Sequence, residues 1–288
     1  MTKGFAAVVV ASFCVVYALC GIANAQSVNA APAPSGTQIA QDEAIEQIMA
    51  SARPAAGTGA APISVVREAA LREAAEAMGA RRGLRDKSCA INAEIERQKG
   101  SLELRYRFSD LLMGRGVLPP VISEAKDSVA LDTTVMRVAS RVYHLDEQAR
   151  IVDVAPTWRD WLYVGLPIGD CSRPYESTVD LPDQLRPRDA LEVEYFRSVV
   201  ARAYVMGRQQ GTEIFSHNLA RLERSYLGMR RYFDLFARGM VSAPVVVAST
   251  DIVKRDDPNT LIVGNTLIRI TVPVDFVEAH QKWKPLAQ

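Results

Sequence analysis

The sequence is poor in the residue patterns that carry enzyme chemistry. Only three histidines occur, His144, His217 and His280. No Gly-x-Ser-x-Gly nucleophile elbow, His-Glu-x-x-His zinc helix, phosphate loop or Gly-x-Gly-x-x-Gly turn is present. The protein is therefore not expected to be an enzyme, to hold a cofactor or to take a small-molecule substrate. Glu213 and His217 lie one helical turn apart and would offer a metal two ligands without a third, so they read as a surface pair. A basic block is also missing. The 34 Lys and Arg are interspersed with 33 Asp and Glu, whereas phosphate binding needs clustered positive charge. Direct nucleic-acid binding is not expected. Past the first residues there is no unbroken apolar run of membrane length, which argues against an integral helical membrane protein.

The one apolar run has the grammar of an export signal. Lys3 precedes an apolar stretch from Phe5 to Tyr17, and Ala23-Asn24-Ala25 supplies the small residues of a cleavage site. Cleavage between Ala25 and Gln26 would remove Cys14 and Cys20. A competing reading places a lipid on Cys20, near the end of the run. The bulky Tyr17 and Leu19 before it fit lipoprotein processing poorly, and only Ala18 is small. Four cysteines occur in all, with no Cys-x-x-Cys pair. In an exported chain the remaining two, Cys89 and Cys171, are disulfide candidates.

Composition divides the chain into a signal peptide (1–25), an Ala/Pro/Gly-rich flexible leader (26–62) that a short helix near Asp42–Ala50 interrupts, and a single α+β domain (63–288). Ser64 is a candidate N-cap, and Leu71, Ala74, Ala75 and Met78 recur at helical spacing. This helix is expected to stop at Gly79 or Gly83, with a second helix over Asp86–Lys99 ended by Gly100. Alternation of Leu102, Leu104, Tyr106 and Phe108 with charged residues predicts a strand. Residues 114–120 predict a turn. Ser128–Leu131, Thr134–His144 and Ala149–Val154 predict a small antiparallel meander, and the proline-bearing stretch 169–187 predicts a loop. From Phe196 through Leu222 and Met229 to Phe236 apolar residues step by three or four, which predicts a long or kinked amphipathic helical segment, bent near Gly207 and Gly211 or divided there into two packed helices. That Gly-x-x-x-Gly pattern permits close helix approach. Val245–Val253 and Thr260–Thr271 predict a C-terminal β-hairpin, with turns at Asp256–Asn259 and Gly264-Asn265.

Three sets of residues are candidates for contact. Trp158 and Trp161 are either a ligand platform or a packing cluster, the second being the commoner role. Arg221, Arg224, Arg230 and Arg231 form a basic strip that either meets a partner or is a solvated helix face, since Glu223 and Asp234 interleave with them. Leu267 and Ile268 lie in the hairpin strand with few charges, a candidate edge for strand addition to another chain.

Several segments in order resemble the DotC family. They are Leu71–Ala80, the Val-Leu-Pro-Pro at 117–120, Ala155–Leu162 with its tryptophans, Gly211–Leu222, Met240–Val246 and Val263–Thr271. The resemblance implies a structural subunit of the outer-membrane core complex of a type IVB (Dot/Icm) secretion system, or of the related IncI-type conjugative transfer system that contains a TraI-like protein. It implies a periplasmic location at the outer membrane and DotD-like and DotH-like partners. Members of that family are typically lipoproteins. The alternative is a periplasmic binding or adaptor protein unrelated to secretion.

Overall fold

A computed structural model describes residues 36–52, 63–114, 116–131, 136–169, 171 and 181–284. The expected signal peptide, its Ala25/Gln26 cleavage site and Cys20 lie outside the described residues, as does most of the 169–187 stretch. The protein is α+β. The chain divides into two units between Glu43 and Ala44. Of the first, the described part is the opening of helix α1 (Gly36–Ser51).

The second unit is organised by two helices, α2 (Val65–Arg105) and α4 (Ala190–Ala237), of 41 and 48 residues. Each begins on a side-chain cap. Ser64 accepts a hydrogen bond from the Arg67 amide, and Asp189 accepts one from the Glu192 amide at 2.9 Å. Helix α4 ends where Gly239 takes a positive φ of 72°. There the Gly239 amide bonds Phe236 O and the Met240 amide bonds Leu235 O, a Schellman closure that satisfies the last carbonyls.

The expected break in α2 does not occur. Gly79 and Gly83 are buried inside one continuous helix, and Gly100 does not end it. These glycines serve close packing rather than termination. A Cβ on Gly79 would lie 2.5 Å from Val200 O, and one on Gly83 would lie 2.0 Å from Tyr204 O. Gly207 of α4 returns the contact, since its Cβ would fall 2.1 Å from Ala80 O. Within the same helix the Arg82 Nε donates to Asp86 Oδ2 at 2.8 Å. The expected strand at 102–108 is the last turn of α2 followed by a 3-10 turn at Phe108–Leu111. Tyr106 and Phe108 are buried because both stack on the α4 side chain Tyr226, edge to face at 5.4 and 5.3 Å.

Among the described residues the strands form three two-stranded antiparallel sheets. β1 (Val117–Leu118) pairs β4 (Arg150–Ile151), so the expected turn at 114–120 holds a short strand. β2 (Val121–Leu131) pairs β3 (Met136–Glu147), and β5 (Val245–Asp257) pairs β6 (Thr260–Val272). The reversal of the last hairpin is at Pro258 and Asn259. Gly264-Asn265 is not a turn: Gly264 takes a φ of 71° within a continuous β6 and marks a local irregularity.

Among the described residues, apolar side chains gather in three clusters along the α2–α4 pair. Ile45, Ile48 and Ala52 pack with Leu71, Met78 and Phe196. Trp158 and Trp161, the latter in the short α3 (Arg159–Leu162), are both buried with Phe108, Leu222 and Met229. Ile122, Tyr232, Leu235, Val241 and Val274 form the third. The ordered packing of Ile45 and Ile48 shows that the second half of α1 belongs to the core, although its sequence lies in the stretch read as leader.

Candidate functional site

The tryptophan pair is a packing cluster. Trp161 stacks on Phe108 at 4.5 Å with planes 7° apart, and its Nε1 donates to Ser225 Oγ at 3.2 Å. Arg159 lies over the Trp158 ring at 3.9 Å. Asn218 of α4 donates to the carbonyls of Leu162 and Val164, at 3.1 and 2.7 Å, and ties α3 to the helix. Neither ring is left open to a ligand.

The cysteines Cys89 and Cys171 are joined by a disulfide with Cα atoms 5.3 Å apart. The bond links the middle of α2 to the segment that precedes α4. His217 is exposed on α4, and Glu213 accepts from Gln209 rather than meeting it. Among the described residues no group of three potential metal ligands is present.

The basic strip divides. Arg231 does not face outward. Its guanidinium donates to Ile122 O at 2.6 Å and lies 3.5 Å from Glu124, so it holds the β2 strand against α4 and is not a candidate partner contact. Arg230 is exposed. Arg221 and Arg224 are exposed on the rim of a cleft of about 440 Å³ between α4 and the base of the β2–β3 hairpin. Across it stand Asp146 and Glu147, also exposed, and the floor includes the buried Val121 and Ser225. Helix periodicity places Arg221, Arg224 and Ser225 on one side of α4. A register shift between Val121 and Ile122 leaves Asp146 outside the regular pairing. The cleft was not readable from the sequence, because its two walls lie about seventy-five residues apart and meet only once the hairpin folds back onto α4 at Gly228. A Cβ there would lie 2.5 Å from Val121 Cγ1 and 3.0 Å from the Ile122 amide nitrogen.

The C-terminal hairpin pairs with no further strand among the described residues. Val247, Val263 and Leu267 are exposed on it, Leu267 at 52 %, while Ile268 is half-buried. Opposite them in register stand Arg269, Val253, Ser249 and Ala248 respectively. A second exposed apolar group, Val129, Met136 and Val138, lies near the end of the β2–β3 hairpin.

An ion pair joins the two long helices. Arg67 of α2 makes two hydrogen bonds to Glu192 of α4, and these hold the Glu192 carboxyl below the usual carboxylate range, against the opposing effect of burial. Burial pushes the Tyr106 hydroxyl up to about 12, with the nearby Glu223 adding to the shift and Arg105 opposing it.

Two comparisons bear on the family. A family model described as type IV secretory system, conjugal DNA-protein transfer, matches residues 65–285, the span of nearly all the described elements. No curated protein matches the chain.

Proposed function

The chain belongs to the type IV secretory system family of conjugal DNA-protein transfer, and from that premise we propose that it is a non-catalytic scaffold subunit of the system's outer-membrane core complex. In this reading the chain is exported to the periplasm and works at the outer membrane beside DotD-like and DotH-like subunits, as a DotC-like protein would. No step of chemistry is assigned to it.

The observation that supports the finer reading most is the β5–β6 hairpin. Its strands run 13 residues each, pair only with one another among the described residues, and leave Val247, Val263 and Leu267 exposed. A lone two-stranded ribbon is marginal in water, and an open strand edge is a template for another chain. A subunit in a large assembly has such a chain at hand. The exposed Arg221 and Arg224 on α4 supply a second surface.

The test is to co-express the chain with the DotD-like and DotH-like subunits and purify the complex. Leu267→Pro and Ile268→Pro each remove a backbone donor from β6. The expected result is a variant that keeps its helical circular dichroism and no longer co-purifies. A wild-type chain that fails to enter the complex would overturn the scaffold reading. Folded variants that still assemble would remove the hairpin as the docking element.

A further inference from the structure

We propose that the cleft between α4 and the base of the β2–β3 hairpin is a docking slot for an extended polypeptide segment of a neighbouring subunit. The segment would present a carboxylate side chain to Arg221 and Arg224 and a basic side chain to Asp146 and Glu147. The inference rests on the scaffold reading above and adds to it the chemistry of the partner.

The charges on the rim carry the argument. Among the described residues, the side chains of Arg221, Arg224 and Glu147 form no ion pair or hydrogen bond, and Asp146 accepts only from the Ser123 hydroxyl at 3.0 Å. Nearby opposite charges on the same helix do find each other: Glu223 pairs Arg105 at 3.2 Å and Arg231 pairs Glu124 at 3.5 Å. The cleft thus holds two signs of charge on facing walls, too far apart to neutralise one another. A chain laid between them would meet both. An isolated anion would be attracted by one wall and repelled by the other, and the same holds for the phosphates of nucleic acid.

The floor of the cleft suits a docked chain. Val121 is 2 % exposed and offers an apolar contact. Ser225 is buried, with its hydroxyl oxygen already fixed by Trp161 Nε1. A buried, fixed floor inside a charged rim has the layout of a protein–protein contact, in which the rim selects the partner. The volume of about 440 Å³ is enough for a few side chains and not for a folded domain.

The probe is an array of short overlapping synthetic peptides that tile the DotD-like and DotH-like subunits of the same system. It is read with the full-length chain and with three variants: Arg221→Glu with Arg224→Glu, Asp146→Lys with Glu147→Lys, and Arg230→Glu as a control off the cleft. All five residues are exposed, and unchanged thermal melting checks that each variant is folded. The expected result is binding to peptides that carry acidic and basic residues a few positions apart. Each paired reversal should weaken that binding at least tenfold, while the control leaves it unchanged. The slot is overturned if no peptide binds, if binding survives both reversals, or if only the arginine reversal matters, which would make the cleft an anion site. A wild-type chain that co-purifies with its neighbours while no peptide binds would sink the slot and leave the scaffold reading standing. Peptide binding by a chain that never enters the complex would do the reverse.

Discussion

Arg67 on α2 and Glu192 on α4 close a two-point ion pair across 125 residues of sequence, at the end of the helix pair where both helices begin. The same guanidinium donates to the carbonyls of Gln184 and Arg186, at 2.7 and 3.0 Å. Glu192 in turn accepts from the Arg188 amide at 2.7 Å. One carboxylate therefore fixes the chain that enters α4 and joins that helix to its neighbour.

Glu192→Ala should destabilise the fold by about 3 kcal/mol, at the lower end of the range for breaking a buried pair because Arg67 keeps two carbonyl acceptors. The acid response follows from the sign of the shift. With its folded carboxyl below the ordinary value, Glu192 contributes stability that is fully present above pH ~4.3 and lost as the pH falls through the lower folded value. Thermal melts from neutral pH to strong acid should show a smaller decline in the variant than in the wild type.

The helix-interior glycines separate into two kinds. Gly207→Ala should cost about 3 kcal/mol, the upper range of overpacking, because the new Cβ meets the Ala80 backbone. At Gly100 nothing lies within 4 Å of the added Cβ, and Gly100→Ala should stabilise by about 1 kcal/mol through helix propensity. Urea denaturation of both variants reads the contrast.

Replacing Cys89 and Cys171 together by serine opens a link across a sequence separation of 82 residues. The loss should reach about 4 kcal/mol in the chain-entropy model, less where the unfolded chain retains structure. Quantitative thiol labelling of the protein purified without reductant should find both cysteines blocked until a reductant is added.

The mature chain should begin at Gln26 and carry no acyl group, because Tyr17 and Leu19 obstruct lipoprotein processing at Cys20. Intact-mass spectrometry of the exported protein decides between this terminus and an acylated Cys20.

The α+β class, the Ser64 cap, the amphipathic face of α4 and the C-terminal hairpin were legible in the sequence, because each rests on local pattern. What was not legible depended on contact between distant segments. Gly79 and Gly83 look like helix stops until α4 lies against them, since isolated glycine punctuates a chain and packed glycine does not. Tyr106 and Phe108 mimic a strand because two aromatics separated by one residue were both drawn into the core at a helix end. The period of α4 marked Leu222 and Met229 correctly, yet placed Phe236 on the core face although it is half exposed, and passed over Tyr204 and Tyr232, which are buried. Of the basic strip, sequence supplied the residues and not their directions. Arg231 turned inward to Ile122 O, and only Arg221 and Arg224 reached the cleft.

The interlocked glycines of α2 and α4 also fix how the two helices move. Sliding one helix along the other by a single residue is a shift of ~1.5 Å. Such a step would carry the side chain of Ala80 or Ala203 into the backbone space that Gly207 and Gly79 now vacate. Axial shear is thus blocked at the middle of the pair, while the ion pair pins one end and the disulfide anchors α2 to the chain that feeds α4. The two helices act mechanically as one strut, and a push on the β2–β3 hairpin, seated on α4 at Gly228, is transmitted along its length instead of being absorbed as slip.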